Sequence, residues 1–218
     1  MERNIAFKCT YNDGGKNGQD EIGFNGTCSD EIIEWNIERN KVWCNEGPCK
    51  DYYKNNFEGS KPESPCYESK LFTKWKYDAG YQHKNKSKPL KIRQAGIGHM
   101  ALLTTRLPGD KEKDRKIFGF YKIANIKDEE NGQNIATQII AGNKYRISLT
   151  AKEAEKLHFW DFYSNPNSSK QIWGSGLFRY FDMEVIDILD KTRKVVKDKD
   201  KIQLTNELYE YFSKIYEI

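Results

Sequence analysis

The sequence predicts an α+β protein: a cysteine-rich N-terminal subdomain over residues 1–69, a small β-barrel with flanking helices over 70–196, and an amphipathic C-terminal helix over 197–218. Three observations lead there. Met100–Thr105 and Ile117–Ile123 are apolar, β-prone runs separated by Pro108-Gly109 and a charged stretch, which is the pattern of a hairpin. All five cysteines precede residue 67. Two helical patterns close the chain, one with Val185, Ile188 and Leu189 inward and one with Leu204, Leu208, Phe212 and Ile215 on a single stripe.

Composition sets the limits. A chain of 218 residues makes one large domain or two small ones. At 37% hydrophobic and 13% aromatic it has material for a core, while a mean hydropathy of −0.87 gives it a wet surface. No apolar run approaches the length of a membrane-spanning helix. The opening Met-Glu-Arg-Asn carries no apolar signal segment, and the expected location is cytoplasmic. Net charge is only +4, from 36 basic and 32 acidic residues, so distribution carries more information than the total.

Taken in order, Ile5–Thr10 reads as a first strand, Asn12-Asp13-Gly14-Gly15 as a turn, and Glu21–Asn25 as a short return strand. Ser29 has the character of an N-cap for a helix over Asp30–Glu38, with Asp30 and Glu31 in its first turn and Asn40 at its end. Cys44 and Cys49 flank a Gly47-Pro48 turn, a loop able to aim two thiolates at one ion, as in zinc knuckles. Clustered cysteines in a cytosolic chain favour metal over disulfides, and their odd number argues against a full disulfide framework. Structural zinc is therefore the expected cofactor. Cys28 and Cys66 are preferred as the other two ligands, with Cys9 a competitor; reduced core cysteines are the alternative.

Residues 50–69 read as an irregular polar loop. Lys70–Arg93 then carries eight lysines and arginines against Asp78, with Phe72, Trp75, Tyr77 and Tyr81 between them. That mixture suits phosphate contact and base stacking, or else a solvated lysine loop. Gln94–His99 has two glycines but neither a P-loop lysine nor a dinucleotide fingerprint. Gly119 inside the second hairpin strand marks a bulge or a close backbone approach. Lys111–Lys116 is expected to be solvated. Ile135–Ala141 and Tyr145–Leu149 read as two strands joined at Gly142-Asn143, and Thr150 with Glu153 forms a capping box opening a helix to about Tyr163. Trp173-Gly174-Ser175-Gly176 is a flexible turn into a strand that sets Arg179 among aromatics. Trp173 reads either as a barrel residue or as one wall of a base-holding pocket, with Arg179 snorkelling or contacting phosphate or base. Lys197–Lys201 reads as a charged linker.

No catalytic constellation emerges. His83, His99 and His158 lack metal-ligand spacing, and Asp110, Glu112 and Asp114 fall in the charged hairpin loop. No catalytic residue is assigned, and a binding module is favoured over an enzyme.

The order of hairpin, Ile-Phe-Gly-Phe-Tyr-Lys-Ile, Tyr-Arg-Ile-Ser-Leu, helix and Trp-Gly-Ser-Gly-Leu-Phe-Arg-Tyr resembles PUA-like barrels, especially the EVE and YTH-type group, over about Leu90–Ile188. The resemblance implies a nucleic-acid reader, often of a modified or flipped-out base held between aromatic side chains, and sometimes the specificity domain of a modification-dependent defence or restriction system. It nominates Trp173, Trp160 and the adjacent Ser175 for the pocket, and Lys91, Arg93, Arg106 and Arg179 for phosphate or base. The expected partner is nucleic acid, DNA before RNA, with a separate protein as a possible source of catalysis. The cysteine-rich region and the C-terminal helices have no counterpart in the bare EVE or YTH domain. Two rival functions remain open: a metal-dependent nuclease or nucleotide-processing enzyme, and a protein-interaction module.

Overall fold

A computed structural model describes residues 2–15, 23–80, 89–131, 134–164, 170–174 and 176–217. The chain divides into two compact units. Thr10–Tyr77 is the cysteine-rich unit; Met1–Cys9 joins Asp78–Ile218 in the other. The first strand, β1 (Asn4–Lys8), thus belongs with the C-terminal part, because it lies in the sheet between β3 (Met100–Thr105) and β6 (Phe178–Phe181).

The sheet has six strands in the order β2-β5-β4-β3-β1-β6, curled into a half-barrel, with β2 at Lys76–Asp78, β4 at Lys116–Asn131 and β5 at Asn134–Ser148. β1 runs parallel to β3 and antiparallel to β6. The expected hairpin is present as β3–β4, and its register slips between Leu103↔Gly119 and Thr104↔Ile117, which leaves Phe118 as the extra residue beside Gly119. Every residue of β3 is buried, as a central strand covered on both faces should be.

Several buried polar side chains in this unit are paired. Asn4 is fully buried; its amide donates to the Asp182 carbonyl and the Tyr216 hydroxyl (both 2.9 Å), and its carbonyl oxygen accepts from the Met100 N–H at 2.8 Å. Helices α7 (Glu184–Val195) and α8 (Lys199–Ile215) pack on each other, and α8 also packs on β5. Buried Thr192 and Thr205 return their hydroxyls to carbonyls four residues back.

Several expectations are corrected here. Gly142-Asn143 does not break the chain into two strands: β5 is continuous, and its register against β4 jumps from Tyr121↔Arg146 to Ile123↔Ala141. Arg146 braces that bulge by donating to the Gly142 carbonyl at 2.6 Å. The helix expected over 151–163 is two short ones, α5 (Ala151–Ala154) and α6 (Phe159–Phe162). The capping box forms, but the following backbone pairs with the start of β4: the Ile117 N–H donates to the Leu157 carbonyl and the Phe159 N–H to the Arg115 carbonyl. Tertiary pairing overrides helix propensity there. Lys199–Lys201 is the first turn of α8, capped by the Asp198 side chain, rather than linker. On α8 the buried stripe is Thr205, Leu208 and Phe212, while Ile215 is exposed.

In the cysteine-rich unit, α1 (Asp30–Glu38) starts at the Ser29 cap and ends before Asn40, which takes a left-handed conformation. The Gly47-Pro48 turn joins two short helices, α2 (Val42–Glu46) and α3 (Pro48–Lys54), with Pro48 at a first-turn position that needs no N–H donor. The loop expected from residue 50 thus begins after α3. Gly23–Asn25 forms no strand, and residues 21 and 22 lie outside the described residues. One core cluster of this unit gathers Cys28, Ile33, Ile37 and Cys49, packed by Ile32, Cys44, Tyr52, Tyr53 and Phe57, and Phe24, Leu71, Trp75 and Tyr77 are buried as well. Among the described residues no helix is long and apolar enough to cross a membrane.

Candidate nucleic-acid interface

Strand β6 has two faces. Phe178 and Tyr180 pair on one, with ring centroids 5.6 Å apart, and Arg179 points to the other by strand alternation. Its guanidinium lies 5.5 Å from the Trp173 ring, 5.6 Å from Tyr163 and 6.0 Å from Trp160, within cation–π range of all three. It donates to the Ile172 carbonyl at 3.1 Å and to the Trp173 carbonyl. Phe159 completes the group, 5.0 Å from Trp173 and stacked on Tyr163 at the same distance. The short helix α6 supplies Phe159 and Trp160, and Tyr163 follows it, so the break in the expected longer helix is what turns these rings inward.

Trp173 is only 2% exposed and Trp160 6%. They form a filled cluster rather than an open slot. Two of its donors are nevertheless unused: among the described residues, the buried Trp173 Nε1–H and Arg179 Nε–H have no hydrogen-bond partner. An unmet buried donor costs about 1–3 kcal/mol.

Behind this cluster the charged hairpin loop is solvated at Lys111 and Lys113, as expected, but not at Arg115 and Lys116. Arg115 is 2% exposed; it holds Glu112 through Nε at 2.6 Å and Nη2 at 3.0 Å, and its guanidinium lies 4.9 Å from the Trp173 ring. Arg106 reaches the same carboxylate at 3.2 Å, and the Trp160 indole donates to the Glu112 carbonyl at 2.7 Å. Lys116 is also buried, paired with Asp110 at 2.7 Å and Glu155 at 3.3 Å. Desolvation of a charge is tolerated here because each cation meets its carboxylate at hydrogen-bond distance.

The structure therefore brings together Trp160, Trp173 and Arg179, with Arg106 held one step away by Glu112. Lys91 and Arg93 are exposed and stand apart from the cluster: the Arg93 and Gln94 N–H groups donate to the Tyr180 hydroxyl at 3.0 and 3.2 Å, on the opposite face of β6. Ser175 lies outside the described residues, as do Tyr81, His83, Lys84, Lys86 and Lys88 of the basic run. Of the aromatics in that run, Trp75 and Tyr77 are buried, and Phe72 is half-buried and stacked on Trp75 at 5.1 Å. These rings pack inside the cysteine-rich unit instead of offering faces to bases. Tyr163 and Arg115 were not nominated by the sequence, and only the aromatic run around Trp160 hinted at the first.

Within the cysteine-rich unit Cys28, Cys44, Cys49 and Cys66 line one cavity, together with Asn12, Asn36 and Trp43. Cys9 belongs to the other unit, where its N–H donates to the Thr104 carbonyl. Burial pushes the four cavity thiols above their ordinary range, Cys66 to about 12, with hydrogen bonds from Ser69 acting against the rise. As placed, no three His, Cys, Asp or Glu side chains among the described residues form a set that could hold a metal ion. No family model matches the chain, and neither a curated protein nor a solved structure matches it.

Proposed function

We propose that the Asp78–Ile218 unit is a PUA-like nucleic-acid-binding module of the EVE and YTH type, reading a modified or flipped-out base at the Trp160–Trp173–Arg179 cluster. One observation carries the reading: two buried donors, Trp173 Nε1–H and Arg179 Nε–H, lack a partner among the described residues and sit beside the rings of Phe159, Trp160 and Tyr163. A base carbonyl or ring nitrogen is an acceptor on a flat apolar body, and it would satisfy such donors and stack on the rings once the filled cluster opens to admit it. Stacking contributes about 1–3 kcal/mol per base, which offsets an unstacking cost of a few kcal/mol. Exposed Lys91 and Arg93 would contact phosphates and position the strand without reading it. Such a module fits the specificity part of a defence or restriction system in which another protein cuts. For the rival nuclease reading, Glu112 and Asp110 are tied up in ion pairs with Arg106, Arg115 and Lys116.

The test is a fluorescence anisotropy titration of the full chain and of Arg179→Gln against short DNAs that differ at one central base: plain, methylated or mismatched. Wild type is expected to prefer one modified or mismatched site by about tenfold or more, equivalent to about 1.4 kcal/mol. In Arg179→Gln that preference is expected to fall to near unity. Equal wild-type affinity for every DNA, or a preference that survives the substitution, would remove the cluster from recognition.

A further inference from the structure

We propose that Cys28, Cys44, Cys49 and Cys66 are the four thiolate ligands of one structural zinc ion, and that Cys9 is outside the set. The cavity they line has a free volume of about 20 Å³. That is room for a single water or ion and excludes an organic ligand. Its wall is built from three separate stretches: Cys28 just before α1, Cys44 and Cys49 on either side of the Gly47 junction, and Cys66 beside Pro65. Four cysteines from distant positions line one ion-sized space, the ligand number and type of a tetrahedral thiolate site, although as placed they do not yet form a ligand set.

Asp13 is fully buried; its Oδ1 accepts from the Gly15 and Ser29 N–H groups, whereas its Oδ2 has no partner among the described residues. Asp13 is also close enough to Cys28 to act on it electrostatically. Asp13 does not line the cavity and is no part of the proposed ligand set. Lys41 and Lys61 act in the opposite sense, favouring the thiolates of Cys44 and Cys49 respectively.

Energetics agree. The unit spans Thr10–Tyr77, and its cluster of Cys28, Ile33, Ile37 and Cys49 includes two of the proposed ligands. A metal held by these cysteines would staple that cluster together. The Ser69 hydroxyl fixes the Cys66 backbone, donating to its carbonyl at 2.7 Å and accepting from its N–H at 3.3 Å. The sulfurs stand on the cavity wall, and binding would draw them together.

The experiment measures metal on the purified full chain after dialysis, with a cobalt-substituted sample read by its visible spectrum. The expected result is about one zinc per chain and the intense bands of a tetrahedral tetrathiolate cobalt centre. Cys28→Ser and Cys66→Ser are expected to lose more than about nine-tenths of the metal, while Cys9→Ser keeps it. Because the first two variants could misfold, wild-type zinc release is also titrated with a mercurial; release in step with four thiols supports the site. A folded, metal-free wild type, zinc retained in Cys28→Ser, zinc lost in Cys9→Ser, or two disulfides by mass spectrometry would each overturn it.

Discussion

Replacing Trp173 with alanine is expected to destabilise the Asp78–Ile218 unit by about 3–5 kcal/mol, the range for deleting a buried aromatic side chain. The indole is 2% exposed, touches the Phe159 and Trp160 rings, and offers its faces to two guanidiniums, Arg115 at 4.9 Å and Arg179 at 5.5 Å. Removal opens a cavity that fixed strand and loop backbones cannot close, and it strips Arg115 of an apolar cover. Urea denaturation followed by far-ultraviolet circular dichroism checks this, with exposed Met183→Ala as the control expected to stay within about 0.5 kcal/mol. A loss below about 1 kcal/mol for Trp173→Ala would mean that the ring lines an open slot, as a pocket wall does, and is not core. The same burial makes Arg179, which is half-buried, the better probe of recognition.

Glu112→Gln is expected to cost about 3–5 kcal/mol, because it leaves the buried Arg115 guanidinium without its counter-charge. The pair is close at 2.6 and 3.0 Å, and Arg106 loses the same partner. The cost is a penalty for stranding a charge, not the net worth of the pair. Glu112→Leu combined with Arg115→Met should therefore recover most of it, since an apolar replacement of both members is often neutral or stabilising. The double variant measured by the same urea denaturation distinguishes the two cases. If Glu112→Gln alone proved neutral, the network would be a solvated surface pair.

The amino-acid pattern makes the hairpin legible because its signals are local: apolar β-prone runs, punctuation at Pro108-Gly109, and a glycine where the register slips. Helix α1 was legible for the same reason, from Ser29 and Asn40. What escaped was set by partners distant in sequence. Thr150 and Glu153 announce a helix start, but nothing near them says that Leu157 and Phe159 will pair with β4. The charges of Lys111–Lys116 look like solvent-facing loop, which Lys111 and Lys113 are, while the burial of Arg115 and Lys116 follows only from where they meet Glu112, Asp110 and Glu155. At the candidate site, Trp173 and Arg179 stood close enough in sequence to be read together, and Trp160 was added through the resemblance. The sequence offered no sign that Tyr163 and Arg115 would surround them, or that Lys91 and Arg93 would fall beside Tyr180 on the other face of β6. Among the cysteines, Gly26 and Pro65 marked Cys28 and Cys66 as turn-flanking, and these two share a cavity with Cys44 and Cys49.

Equilibrium binding of the purified full chain to a labelled DNA oligonucleotide across a salt series tests the central claim most directly. A phosphate-contacting module predicts that log affinity falls linearly with log salt. With two or more phosphate contacts, affinity should drop at least about tenfold between about 50 and 200 mM. Absence of binding to single-stranded, duplex and modified DNA at the lowest salt, or an affinity indifferent to salt, would contradict the nucleic-acid reading.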